Sequence, residues 1–420
     1  MLDIKAIREN PKEYQRKLAR KGVSAHAVAA VLELDEKYRS LLKKVEQAKS
    51  EQNKVSKEMP KLSGAEKEKV LANMKKLSEE KKEAEMEQEK VGEDLKHALE
   101  ALPNPPEDSA PDGKSEEENQ VLRKEGSPRK FDFTPLEHSE LGEKLRILDL
   151  DRGAKVAGSR FFFLRNELAI LQMALMNWAF LRIAELGFSP MIPPFVTRKE
   201  AIYGTGYLSK DENYVVNPGE DDLYLIATSE VPLTSFHADE ILEEDMLPIK
   251  FAGYSPCFRR EAGSYGKDMK GILRVHQFEK IEMVILCKPE DSAKMHELIR
   301  EVEEALMKEL KIPYQVVNIC TGDLGNSAAK KYDLEAWLPG QNKYREVTST
   351  SICTDFQSRR LNIRYRKKDG TTDYVHTLNG TAVSSRPLIA ILENFQKKNG
   401  SVDIPECLWK FTGFKRIEPK

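Results

Sequence analysis

The stretch "CFRREAGSYGKDMKGILRVHQFEKIE", Cys257 to Glu282, sets the kind of sheet this chain builds. Two apolar runs flank a polar, glycine-containing turn, which predicts antiparallel strands joined by a loop. Charge crowds both sides: Arg259, Arg260 and Glu261 precede the turn, and Arg274, Glu279 and Glu282 follow it, with Phe278 among them. Alternate strand residues share a face, so Arg259 is expected beside Glu261, and Phe278 beside Lys280 and Glu282. A guanidinium fork suits a phosphate and stays charged at any working pH. A phenyl ring suits a purine by stacking, and a carboxylate suits the purine amino edge. The hairpin therefore has the parts to hold ATP without a glycine-rich loop. Taken alone, it is explained equally well as an edge hairpin with surface ion pairs.

Three further stretches carry candidate chemistry. "YREVTSTS", residues 344–351, offers Glu346, Thr348 and Ser349, whose hard oxygens suit Mg²⁺ bridging phosphates, although Thr and Ser are also ordinary strand residues. In "HTLNGTAVSSRPLIAILEN", residues 376–394, a strand ends near Asn379 and Gly380 and a helix begins around Ser385. Arg386 then sits at a helix N-terminus, where dipole and guanidinium both favour an anion; a surface arginine near a cap is the plainer alternative. In "LYLIATSEVPLTS", Thr228, Ser229 and Glu230 follow an apolar strand, either lining a small polar pocket or capping a helix.

The rest of the chain frames these stretches. Its 420 residues suffice for two or three domains, and a net charge of −2 gives no global pull toward nucleic acid, so any polyanion contact is local. Five scattered cysteines without a CxxC pair argue for free thiols and against a structural zinc site. The N-terminus has no signal-peptide pattern, and the most apolar segment, residues 161–186, is broken by Arg165, Glu167 and Arg182, which predicts a buried helix and no membrane span.

Residues 1–103 are expected to form a helical arm. Val31, Leu34, Tyr38, Leu41, Val45, Ala48, Gln52, Val55 and Met59 step by three and four. "PKLSGA" interrupts the pattern, and a matching seam runs from Val70 through Met74, Leu77, Lys81, Ala84, Gln88, Val91, Leu95 and Ala98 to Leu102. Two matched seams about a breaker predict an antiparallel hairpin over about residues 28–102, each helix on the order of 45 Å long, which projects as a rod. An oligomerising coiled coil is the alternative use of such heptads. Pro-rich, acidic residues 104–120 read as a linker. Residues 121–420 show short strands and scattered helices, near 163–187, 289–310 and 387–398, without regular β-α-β alternation. The expected class is α+β, on a mostly antiparallel sheet flanked by helices.

In this order the stretches resemble the seryl-tRNA synthetases, a family of class II aminoacyl-tRNA synthetases. "GFSPMIPPFV" looks like motif 1, "FRREAGSYGKDMKGILRVHQFEKIE" like motif 2, and "TLNGTAVSSRPLIAILEN" like motif 3. "TSE" at 228–230 resembles the serine-loop signature, "YREVTSTS" the acidic ATP-side strand, and the helical arm completes a match over essentially the whole chain. The resemblance implies serine–tRNA ligase activity through a seryl-adenylate. It implies Arg259 on the α-phosphate and serine carboxylate, Glu261 on the adenine amino group, Phe278 on the ring, and Arg274 and Arg386 on the outer phosphates. Glu346, Val347, Thr348 and Ser349 would form the ATP-side strand, with Glu346 and Ser349 on Mg²⁺. Thr228, Ser229, Glu230, Glu282, Asn379 and Thr381 would surround serine. Arg260 stands where the family commonly has a small residue and adds a positive charge at the nucleotide site. The implied partners are tRNA(Ser), with tRNA(Sec) as a further candidate, and a second copy of the chain in a cytoplasmic homodimer; no zinc is expected. Two rivals are an amino acid:carrier-protein ligase, whose known forms lack the arm, and an inactive tRNA-binding paralogue, against which the motif 2 and motif 3 arginines argue.

Overall fold

A computed structural model of the protein describes residues 1–61, 63–207, 213–216, 223–261 and 270–419. Leu62 of the expected hairpin turn and residues 262–269 of the polar turn after Glu261 lie outside the described residues. The chain divides into two compact units, Met1–Pro105 and Pro106–Lys420.

The first unit holds helices α1 (Ile4–Glu9), α2 (Pro11–Ala19), α3 (Ala25–Glu58) and α4 (Gly64–Ala101). The residues of the two seams are shielded along α3 and α4, with Val31, Leu41, Val91 and Leu95 buried. The two helices pack on each other, and Lys37 bridges to Glu87 at 2.8 Å. At Gly92 a Cβ would fall 3.2 Å from Tyr38 Cε2, so glycine keeps the ring against α4. Helices α1 and α2 are too short to show a repeated apolar period. Arg8 on α1 joins Arg39 on the buried Asp35 carboxylate, each at 2.9 Å, which explains an acid on the inner face of α3.

The second unit is built on an eight-stranded sheet: β1 (Gln120–Glu125), β2 (Ser189–Met191), β3 (Ile249–Phe258), β4 (Gln277–Cys287), β5 (Tyr314–Asn318), β6 (Lys330–Leu338), β7 (Lys343–Thr354) and β8 (His376–Ser384). The order across the sheet is β1-β5-β6-β7-β8-β4-β3-β2; every neighbour pairs antiparallel except β2 with β3. The opening stretch ends β3 and begins β4, and the two strands pair from Phe258↔Gln277 to Ile249↔Leu286.

Helices α5 (Asn166–Glu185), α6 (Ser292–Glu309) and α7 (Arg386–Phe395) are shorter than the sequence suggests. Phe163 and Leu164 pair with Leu148 and Asp149 before α5, Pro289–Asp291 makes a separate 3₁₀ turn before α6, and Gln396 bridges to Val402 after α7. Helix α5 is long and apolar enough to cross a membrane, but Leu168, Leu171, Leu175, Ala179 and Ile183 are packed in the main core, so it reads as a core helix. Its other side leaves Ile170 and Met173 exposed and, with Phe180, Ile192, Tyr254 and Phe411, lines an apolar groove of about 570 Å³.

Helix α6 lies against β7 and β8. A Cβ at Gly380 would fall 2.3 Å from Ile299 Cγ2 and 2.8 Å from Glu303 Oε1, so glycine allows this close approach. Glu303 is fully buried there; Thr348 Oγ1 donates to its Oε2 at 3.0 Å, while its Oε1 has no hydrogen-bond partner. Burial, aided by Glu282 and Asp333, pushes its carboxyl well above the usual value of 4.5. A raised folded-state pKa contributes stability below the unfolded pKa that is lost as pH rises toward the folded value. Glu303→Gln should therefore melt like the parent near pH 4.5 and above it by a growing margin toward about pH 8, as read by calorimetry across that range.

Candidate active site

The face of the sheet opposite α6 carries a cleft of about 310 Å³. Its floor is a consequence of strand phase. On β4, Phe278, Lys280 and Glu282 alternate onto this face, as expected. On β7 the register slips: Leu334 pairs with Thr348 but Glu335 with Glu346, leaving Val347 as the extra residue of a bulge. The slip puts Glu346, Ser349 and Ser351 on the cleft side, with Val347 at its edge, and turns Thr348 to Glu303 on the opposite face. The expectation that Thr348 supplies a cleft oxygen is thereby corrected.

Arg259 and Glu261 lie just beyond the end of β3, and Glu261 adopts a left-handed φ of +51°. Both still line the cleft. The Arg259 backbone N–H donates to His276 O at 2.9 Å, and its Nε donates to Ala227 O at 3.2 Å. The guanidinium carbon stands 5.2 Å from the Phe278 ring centroid. Among the described residues no carboxylate forms an ion pair with Arg259. The other cleft cations are paired: Arg274 Nη1 with Glu261 at 2.6 Å, Arg386 Nη1 with Glu346 at 2.9 Å, Lys331 with Asp333 at 3.0 Å, and Lys280 closely with Glu282. Arg386 begins α7, and its Nη1 also donates to Glu346 O at 3.1 Å. Arg260 is corrected: it is exposed and outside the cleft lining, because consecutive residues in an extended chain point apart.

The deep end is acidic. Glu230 is buried at the start of a short helix, Glu230–Thr234. Its Oε1 accepts Gln357 Nε2 at 2.8 Å and Asn379 Nδ2 at 2.9 Å, and its Oε2 accepts the Tyr207 hydroxyl at 2.7 Å. Burial and then the Glu282 charge push its carboxyl up to about 7, against Tyr207, Gln357 and Lys280. Thr381 Oγ1 reaches Glu282 at 3.3 Å. Thr228 and Ser229 are both corrected to a supporting position behind the wall: the Thr228 hydroxyl accepts Lys280 Nζ at 2.8 Å, and the Ser229 hydroxyl donates to Gly253 O at 3.0 Å. Turn geometry before the short helix buries both hydroxyls against β3 and β4, where they are consumed by the protein.

The structure thus brings Glu230, Arg259, Glu261, Arg274, Phe278, Glu282, Glu346, Val347, Ser349, Asn379, Thr381 and Arg386 to one cleft. Tyr207, Lys331 and Gln357 were not singled out from sequence, and Lys280 was placed on the shared face without a role. Lys280 alone carried a signal, being the inward residue between Phe278 and Glu282; the rest come from distant segments.

Glu346 and Ser349 are hard oxygen donors at one point of the cleft, and Asp333, paired across from Ser349, has a buried Oδ1 without a hydrogen-bond partner. Burial, with Glu346 adding to it, pushes Asp333 up to about 6 in spite of Lys331. An orphaned acid oxygen beside two hard donors fits a small divalent cation. Glu346 is held well below the ordinary range, because Arg386, Lys331 and Arg259 outweigh its burial.

Residues 1–106 match the family model of the seryl-tRNA synthetase N-terminal domain, and residues 212–395 match the tRNA synthetase class II core domain (G, H, P, S and T). The chain is 46% identical over 419 residues to a serine–tRNA ligase of Thermobifida fusca, covering 100% of this chain and 99% of that one. It is similar to the seryl-tRNA synthetase of Pyrococcus horikoshii solved with ATP, at a TM-score of 0.95 and 44% identity with full coverage of both. The cytoplasmic serine–tRNA ligase of Naegleria fowleri solved with AMP superposes at a TM-score of 0.90 and 37% identity, covering 100% of this chain and 99% of that one.

The buried Lys280 ammonium lies between Glu230 and Glu282 and is hydrogen-bonded to the wall. Lys280→Met leaves the acids unmatched and should cost about 3–5 kcal/mol at about pH 8. The cost should shrink toward about pH 5, where Glu230, pushed up to about 7, takes up a proton. Urea unfolding at the two pH values reads the difference.

Proposed function

The chain belongs to the seryl-tRNA synthetase family, and from that premise we propose that its cleft activates serine with ATP and passes it to the 3′ end of tRNA. The observation that carries the reading is Arg259: a guanidinium braced on Phe278 and Ala227, facing the cleft without a direct carboxylate ion pair among the described residues. A serine carboxylate oxygen bonds to the α-phosphorus as the bond to the pyrophosphate oxygen breaks. Arg259 spans the carboxylate and the α-phosphate, where negative charge gathers on the phosphoryl oxygens, and fixed positive charge is most effective there. The adenine stacks on Phe278 with its amino group toward Glu261, and Arg274 and Arg386 exchange their acid partners for the outer phosphates. Glu346 and Ser349 would hold Mg²⁺, which would supply charge neutralisation for those phosphates. Glu230, Glu282, Asn379 and Thr381 receive the serine ammonium and hydroxyl. A buried polar pocket penalises an amino acid without the hydroxyl, because its donors and acceptors are left unpaired. In the second step a ribose hydroxyl of the tRNA end attacks the activated carbonyl carbon and AMP leaves.

The N-terminal unit would contact tRNA(Ser) through lysines outside the seam, such as Lys43, Lys49 and Lys75, with backbone and shape recognition. The apolar groove on α5 would be covered by a second copy, making a homodimer, and the working compartment would be the cytoplasm. A carrier-protein ligase is the lesser reading, since the match of residues 1–106 favours tRNA as acceptor.

Pyrophosphate exchange with serine, threonine, alanine and glycine tests the first step, and serine alone should support fast exchange. Arg259→Ala should lower exchange by about 100-fold or more while the melting temperature stays near the parent's. Deleting residues 30–100 should leave exchange working and stop charging of tRNA(Ser) and tRNA(Sec) transcripts; charging that survives the deletion removes the arm from recognition.

A further inference from the structure

Glu230 is held more tightly than its place in a substrate pocket requires. A carboxylate offers about four acceptor positions. Three are used by the protein: two on Oε1, by amides of Gln357 and Asn379, and one on Oε2, by the Tyr207 phenol. The amide donors stand on rigid supports. Asn379 is on β8, and Gln357 is itself fixed, its Oε1 accepting Thr377 Oγ1 at 2.7 Å and its Nε2 donating to Thr205 O at 3.1 Å. Tyr207 comes from another element, the turn after the short helix Lys199–Thr205, where its backbone N–H donates to Ile202 O at 3.0 Å. It differs from Gln357 in lining the cleft beside Glu230 and Arg259. The acceptor position left over is on Oε2, the oxygen the phenol holds.

Resting on the serine-activation reading above, we propose that Tyr207 is a positioning residue for amino-acid selection: its phenol fixes Glu230 Oε2 so that the remaining lone pair receives the α-ammonium of serine. The groups facing Glu230 set its proton balance. Glu282 opposes its ionisation; Lys280 and the Tyr207 hydroxyl favour it; the Arg259 charge acts on Tyr207 from across the cleft. Removing the hydroxyl therefore drives the Glu230 carboxyl further up, and the ionised form that takes an ammonium appears at higher pH.

The test is Tyr207→Phe in the full chain, read by serine-dependent pyrophosphate exchange across pH. A lost hydrogen bond to a charged group predicts a fall of about tenfold or more in kcat/KM for serine, carried by KM, with KM for ATP unchanged. The acid limb of the kcat/KM profile for serine should move to higher pH. In a Glu230→Gln background the same substitution should cost nothing further, since the phenol acts through that carboxylate. An unchanged serine KM and acid limb overturn the proposal. So does an equal rise in KM for serine and ATP with a lowered melting temperature, which assigns Tyr207 to fold support. Calorimetric binding of ATP to the variant separates these results from a misfolded protein. A parent chain with no serine-dependent exchange removes the serine reading itself, whereas an active parent with an indistinguishable Tyr207→Phe variant removes this inference alone.

Discussion

Side chains on a strand can face only two ways, and the catalytic unit depends on that constraint more than on any single contact. Helix α6 closes one face of the central strands so tightly that Gly380 has no room for a Cβ. Everything that meets solvent or substrate must then come from the other face. The bulge at Val347 shifts the phase of β7 by one residue, and the shift decides that Glu346 and Ser349 share the open face. A regular strand would have put Glu346 and Thr348 on one face and sent Ser349 toward α6.

The same constraint explains what could be read from the sequence. Phe278, Lys280 and Glu282 follow simple alternation on β4, so their shared face was legible. The heptad seams were legible because α3 and α4 repeat one pattern over 34 and 38 residues. Thr348 was misplaced because nothing local marks a bulge at a valine inside a strand. Thr228 and Ser229 were misplaced because hydroxyl-bearing residues look alike whether they face a ligand or are consumed by Lys280 and Gly253. Arg259 and Glu261 reach the cleft by a route different from the expected one, from beyond the strand end.

What stayed hidden was mostly long-range. Gln357 and Tyr207 stand 127 and 23 residues from Glu230 in the chain, yet both hydrogen-bond to it. Asp333 and Lys331 enter through the pairing of β6 with β7. Helix α1 leaves a trace in Asp35, a buried acid on the inner face of α3, whose partner Arg8 is 27 residues earlier. Pattern reading sees periods within an element; ion pairs between elements have no period.

Cations of the cleft other than Arg259 rest against acids of the same chain, so anionic groups that settle there displace one counter-ion with another. The released carboxylates stay tethered in the cleft, so the incoming anion adds negative charge there and each freed acid needs a new positive neighbour. On the proposed function, Glu346 would become such an acid, and a seat for a cation, if Arg386 turned from it to a phosphate. On the reading proposed above, nucleotide and metal would depend on one another, because the cation would offset the charge that the phosphates bring.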